Sequence, residues 1–182
     1  MISILILLIL AWAFYIGYSR GLVLQVYYSL AALISMLLAG QFYQGLASFL
    51  SLWVPYASAT QGSSTYFFPN NLLFQLDKVF YAGLAYLLLF SFFYSLARFL
   101  GIFIHLIPKG STESTSLNIT GGILAVLVAL FSLQMCLTIL ATIPMSLIQD
   151  QLNASGLARF IINHTPLTSG LLRDLWLTKI IG

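Results

Sequence analysis

Residues 1–40 read MISILILLILAWAFYIGYSRGLVLQVYYSLAALISMLLAG, and this stretch decides the fold. Two apolar runs meet at Gly17-Tyr18-Ser19-Arg20-Gly21. Residues 1–19 carry no charged side chain; Arg20 is the first charge and Asp77 the next. A bilayer core takes about 20 apolar residues of helix to cross, and each run is about that long. An arginine between two glycines then reads as a tight cytoplasmic turn, with Gly17, Arg20 and Gly21 setting turn and topology. The expectation is a transmembrane helical hairpin on which the later segments pack.

The composition agrees. Of 182 residues, 60% are hydrophobic and 6% charged, against about 25% charged in an ordinary soluble domain. So few charges do not cover a water-facing surface, and the mean hydropathy is +1.00. The class is all-α, an integral membrane protein whose single domain covers residues 1–182. The pI near 9.1 reflects seven basic against four acidic residues. The bases are scattered, which speaks against nucleic acid as a partner and for anionic headgroups. Cys136 is the one cysteine, so neither an intrachain disulfide nor a cysteine metal cluster is available. A signal peptide would begin with basic residues and have an apolar core of roughly 7–15 residues. Here no base precedes the run and the run is longer, so a retained first span is expected.

Taken in order, the expected spans are residues 2–18, 22–40, 79–99 and 119–143. Trp12, Tyr15 and Tyr18 sit toward the end of the first, at headgroup level. Residues 41–53 suit either a continuation of the second span or an interfacial helix, ended by Pro55. Residues 54–77 form the polar loop, in which Tyr66-Phe67-Phe68-Pro69 dips back toward the membrane. The third span has the apolarity either to end near Phe99 or to continue to Ile107, with Arg98 and His105 near its end on the Arg20 side. Lys109, Glu113 and the residues around them make a short polar connection. Asn118 is placed to cap the fourth span, and Pro144 stops it. The tail, residues 146–182, reads as two short amphipathic helices on the membrane surface. One carries Leu157, Phe160 and Ile161. The other carries Leu171, Leu172, Leu175 and Trp176, with Thr168 or Ser169 as its cap. The distribution of bases near the spans orients both termini outside.

Lipid does not drive helices together by the hydrophobic effect; close backbone approach does, so small residues four apart mark contact faces. Ala31, Ser35 and Ala39 form such a face on the second span, and Gly121, Ala125 and Ala129 on the fourth. These faces are expected to meet each other or another copy. Ala13 and Gly17 offer a shorter one. Gln134 is the polar residue within a span, suited to a helix-to-helix hydrogen bond or to a pore. His105 and His164 suit headgroup or water contact, and Asp77-Lys78 an interface anchor. No Gly-x-Ser-x-Gly, phosphate-binding glycine loop or His-Glu-x-x-His pattern occurs. The expectation is therefore no catalytic residues, no cofactor and no metal site. Asn118-Ile119-Thr120, Asn153-Ala154-Ser155 and Asn163-His164-Thr165 fit the short glycosylation pattern.

The chain resembles the colicin V production protein family (CvpA family) of bacterial inner-membrane proteins. The resemblance rests on Gly17-Tyr18-Ser19-Arg20-Gly21-Leu22 and on Leu117-Asn118-Ile119-Thr120-Gly121-Gly122-Ile123-Leu124-Ala125. The ending Ser155-Gly156-Leu157-Ala158 with Thr165-Pro166-Leu167-Thr168 adds to it. The chain lacks the acidic residue usual near the start of the first span, and Ser19 stands where a second base is common. The resemblance implies a multi-pass protein of the bacterial cell membrane, in the cytoplasmic (inner) membrane. It implies a non-enzymatic role in toxin (bacteriocin) biosynthesis or export and in envelope homeostasis. The expected partners are the lipid bilayer, a second copy of the chain, or membrane proteins of secretion and the envelope. A small oligomeric transporter or channel is the alternative. It would need Gln25, Ser35, Ser91, Ser95 and Gln134 to share a lumen.

Overall fold

The computed structural model describes residues 2–59, 64–104, 114–165 and 168–181. Its elements are α-helices, with no strand among the described residues. Four are long and apolar enough to cross a bilayer: α1 (Ile2–Arg20), α2 (Leu22–Trp53), α3 (Leu76–Ile104) and α4 (Thr115–Ala141). The tail follows as α5 (Ser146–Ala154), α6 (Gly156–His164), α7 (Thr168–Arg173), a π turn at Asp174–Thr178 and α8 (Lys179–Ile181). The spans alternate in direction. One end of the bundle therefore holds Arg20 and Arg98, and the other holds the tail and the 54–75 connection.

A single residue breaks α1 from α2. Gly21 has φ 83°, a region L side chains rarely occupy, and that reversal makes the tight turn the glycine pattern implies. The two helices nevertheless share few contacts. Instead α1 runs along α4, and α2 runs along α3, while α4 also touches α2 and α3. The reason lies at Gly17. A Cβ built there would stand 2.5 Å from the Ala125 Cβ and 2.6 Å from the Gly121 carbonyl oxygen. Backbones that close are available to α1 only where α4 offers Gly121, Gly122 and Ala125. The expected packed hairpin is thus replaced by two helix pairs.

The α2–α3 pair is laced by tyrosines. Tyr27 donates to the Ala97 carbonyl (2.8 Å), Tyr86 to Met36 (2.9 Å) and Tyr81 to Val54 (2.7 Å). Ala31, Ser35 and Ala39 are all buried on α2, and the Ser35 hydroxyl returns to the Ala31 carbonyl at 2.7 Å. Residues 41–53 continue α2 without a break, so it has 32 residues and a length of about 48 Å. That exceeds the roughly 30 Å hydrocarbon core, so α2 extends past the membrane or crosses it tilted. Val54 leaves the helix before Pro55, as proline requires of its predecessor.

Several expected boundaries move. The third helix begins at Leu76, after a 3-10 turn at Asn70–Gln75. The fourth spans Thr115–Ala141 instead of 119–143, so Asn118 lies within it and Ser114 takes the capping position without a side-chain bond. His105, Lys109, Glu113 and Pro166 lie outside the described residues.

The tail departs most from expectation. It does not lie on a surface but packs into the end of the bundle. Trp176 is 1% exposed; its ring lies over Gly83 and Ile139 and meets Tyr86 edge-on at 5.9 Å. Tyr43 donates to the Leu175 carbonyl at 2.8 Å. Ala158, Ile161 and Ile162 form the inner face of α6, whereas Phe160 points outward and stacks on His164. Ser155 caps α6 by accepting from the Ala158 amide, and its hydroxyl meets that of Ser3 on α1 at 2.8 Å.

Gly17→Val is expected to lower stability by about 1–3 kcal/mol, the usual range for overpacking. Gly45→Ala is the control, because nothing lies within 4 Å of a Cβ there. Thermal unfolding in a mild detergent checks this: the midpoint falls for Gly17→Val and stays level or rises for Gly45→Ala.

Candidate functional site

At the tail end, polar groups are used to close the structure. The last turn of a helix leaves carbonyls without partners, and α4 ends inside the protein. Gln149 donates from Nε2 to the carbonyls of Ala141 (2.9 Å) and Ile143 (2.8 Å) and accepts the Tyr66 amide at Oε1 (3.1 Å). Tyr56 donates to the Thr142 carbonyl at 2.7 Å. Burial, with Asp77 adding to it, pushes the Tyr56 hydroxyl far above its ordinary pKa and keeps that donor protonated. Thr65 donates to the Phe68 carbonyl (3.0 Å); of the aromatic stretch Phe68 is buried and Phe67 half-buried, whereas Tyr66 stays exposed.

Gln134 belongs to the same end. It is completely buried, and its Oε1 accepts from the Thr168 hydroxyl. Thr168 is thus a tether and not the cap of its helix; Ser169 instead donates to the Thr165 carbonyl. A cavity of about 140 Å3 adjoins them, walled by Gln134, Thr138, Phe68, Arg173 and Trp176. Gln134 Nε2 and Trp176 Nε1 are buried there without a hydrogen-bond partner.

The other end is open. Gly17, Gly121 and Ala125 meet as described, but Ala129, one turn on, is only half-buried. There α1 and α4 face a cleft of about 320 Å3 whose walls include Ile9, Ala13, Ile16, Val128, Leu133 and Cys136. Its mouth carries Arg20, Arg98, Gln25 and Tyr94. The Arg20 guanidinium lies 4.9 Å and that of Arg98 5.7 Å from the centre of the Tyr28 ring, and Arg98 also lies 5.9 Å from that of Tyr94. These are cation–π distances. Tyr28 is held in place by Gly101, where a Cβ would come within 2.9 Å of the ring. Gln25 is 2% exposed, and its Oε1 has no hydrogen-bond partner.

Sequence reasoning marked Arg20 and Arg98 for one side of the membrane but did not pair them. The signal was available: Tyr27 and Tyr28 follow Arg20 by two turns, on the helix next in line. It missed Gln149 and took Thr168 for a cap, because the Tyr66 amide and the Gln134 side chain that they meet are distant in sequence. The five polar residues required for a common lumen are divided. Gln25, Ser35 and Gln134 are buried, while Ser91 and Ser95 are exposed on α3. Among the described residues no group of three or more His, Cys, Asp or Glu is arranged to hold a metal ion.

The chain is similar to known proteins over almost its whole length. The family described as colicin V production protein matches residues 2–166. A relative from Bacillus subtilis (strain 168), named an uncharacterized transmembrane protein, is 29% identical over 177 residues, which cover 97% of each chain. No solved structure matches.

If Gln134 tethers the tail through Thr168, Gln134→Leu and Thr168→Val are coupled. A double-mutant cycle on detergent unfolding is expected to give an interaction of about 0.6–1.7 kcal/mol, the range for hydrogen bonds inside membrane proteins. Additive single effects would mean the contact contributes nothing.

Proposed function

This chain belongs to the colicin V production protein family, and on that premise we propose a non-catalytic accessory role in the bacterial inner membrane. The protein supports the production or export of a peptide toxin, or the upkeep of the envelope, through helix and lipid contacts. The observation that carries the reading is the extent of the family match, which includes all four spans and α5 and α6. The form of α1 supports it. This helix packs mainly on α4 and turns Ile4, Leu5, Leu8, Trp12 and Tyr15 outward. Such a face takes lipid, a second copy or a membrane protein of the secretion apparatus. The arginines at one end support a cytoplasmic position for that end, with the tail end outside.

A solo pore is disfavoured by the internal use of its candidate polar groups. Ser35 bonds to its own helix and Gln134 to the tail.

The test is deletion of the gene in its host, with released toxin activity and leakage of a periplasmic or surface marker measured together. The accessory role requires that one of the two change, that wild type restore it, and that Gly17→Val restore it poorly. Solute or ion flux through liposomes holding the purified protein alone, lost in Gln134→Leu, would instead establish the transporter.

A further inference from the structure

The cleft at the arginine end has a shape and a charge that define an occupant. Its α4 wall runs from Ala125 to Cys136, and its α1 wall from Ile9 to Arg20. Each covers about 16 Å at 1.5 Å per residue. The two walls are staggered, because Gly17 lies level with Gly121 and Ala125, and α4 carries the groove past Gln134 to Cys136, so it runs from the arginine end toward the tail end. Ile9, Ala13 and Ile16 recur at helical spacing toward Arg20, so one wall is apolar along its depth and cationic at its mouth. The opposite wall ends likewise, with Tyr94 below Arg98.

Both guanidinium groups lie within 6 Å of the Tyr28 ring, and no carboxylate lines the cleft among the described residues. Neither arginine has an ion-pair partner among the described residues. Two like charges set about one ring repel each other, and an anion shared by both relieves that repulsion. Gln25 adds a second, independent mark: it is 2% exposed, it lines the same cleft, and its Oε1 is unpartnered. A buried amide left open in this way is costly unless a ligand answers it.

We propose that this cleft binds one anionic phospholipid from the leaflet at the arginine end. Its phosphate sits between Arg20 and Arg98, with Gln25 Oε1 accepting from a headgroup hydroxyl. One acyl chain lies along Ala13, Ile16, Val128 and Leu133. Tyr28 and Tyr94 hold the guanidinium planes in place by their ring faces, so the arginines are oriented before the phosphate arrives. A soluble phosphate satisfies the mouth but leaves the groove unfilled, and a zwitterionic lipid fills the groove but brings its own cation to the arginines. The site therefore selects on both features at once. The inference holds whichever process the protein serves.

The experiment is native mass spectrometry of the full chain in neutral detergent. Phosphatidylglycerol, phosphatidylcholine of the same chain length and inorganic phosphate are titrated separately. Phosphatidylglycerol is expected to be retained at least tenfold more tightly than phosphatidylcholine, and inorganic phosphate not at all. Arg98→Gln is expected to lose at least tenfold, and so is Ala129→Trp, which fills the groove and leaves both arginines in place. Labelling of Cys136, the single cysteine, by a maleimide is expected to slow on addition of phosphatidylglycerol alone. If Arg98→Gln does not fold, Ala129→Trp and the Cys136 labelling decide. Equal retention of the two lipids, unchanged retention in Ala129→Trp, or binding of inorganic phosphate as tight as the lipid overturns the proposal.

Discussion

Two helix backbones in lipid are held together mainly by how closely they approach, because the acyl chains around them are as apolar as their own side chains. In this protein that constraint is met most tightly where Gly17 faces Gly121, Gly122 and Ala125. The contact fixes α1 on α4. It does so toward the arginine end of both helices, where α1 stops at Arg20 and α4 is about two to three turns past its start. From that crossing the two helices continue toward the tail end with bulkier residues between them, and the cleft occupies the space left on one side. The closest contact in the bundle and its open groove thus have one cause.

At the tail end a different constraint governs. Helix ends and loops inside a protein expose backbone groups that water cannot reach, and each must find a partner. One glutamine, Gln149, serves three of them. Tyr56 from the 54–59 segment serves the Thr142 carbonyl, Tyr81 from α3 that of Val54, and Tyr43 from α2 that of Leu175. Tyrosine suits this work because its ring packs as an apolar surface while its hydroxyl donates. The high tyrosine content, 10 of 182 residues, is put to use in crosslinks between elements distant in sequence and only partly at the headgroup level.

These two constraints explain what could be read from the residues and what could not. The four spans were legible because length and apolarity alone decide them. The turn at Gly21 was legible because only its glycine tolerates the reversal without strain. The Gly121–Ala125 stripe was legible as a contact face, but its partner was not: spacing identifies a surface that admits a close neighbour without saying which neighbour is as narrow. The tail was misread for a related reason. Its amphipathic period is the same whether the apolar face meets lipid or the groove between α3 and α4, and Trp176 suits either. What separates the two cases is the tether from Thr168 to Gln134 and the flat seat at Gly83, both made of residues far away in the chain.

The two ends also differ in what they leave undone. At the tail end Gln149, Tyr56 and Thr168 have protein partners, while Gln134 Nε2, Trp176 Nε1 and Asp77 Oδ1 have none among the described residues, and the cavity there is the smaller of the two. At the arginine end two cations, the Tyr94 ring and the Gln25 amide line a groove with no carboxylate among its described lining residues, and the Tyr28 ring lies against both cations. Their placement is not a by-product of packing, since Arg98 is exposed and free to turn toward the headgroups, yet its guanidinium stays within 6 Å of both Tyr28 and Tyr94. Two rings restrain a cation that already has a like charge beside it. That arrangement holds positive potential at one point of the bundle instead of spreading it over the interface, which topology alone would not require.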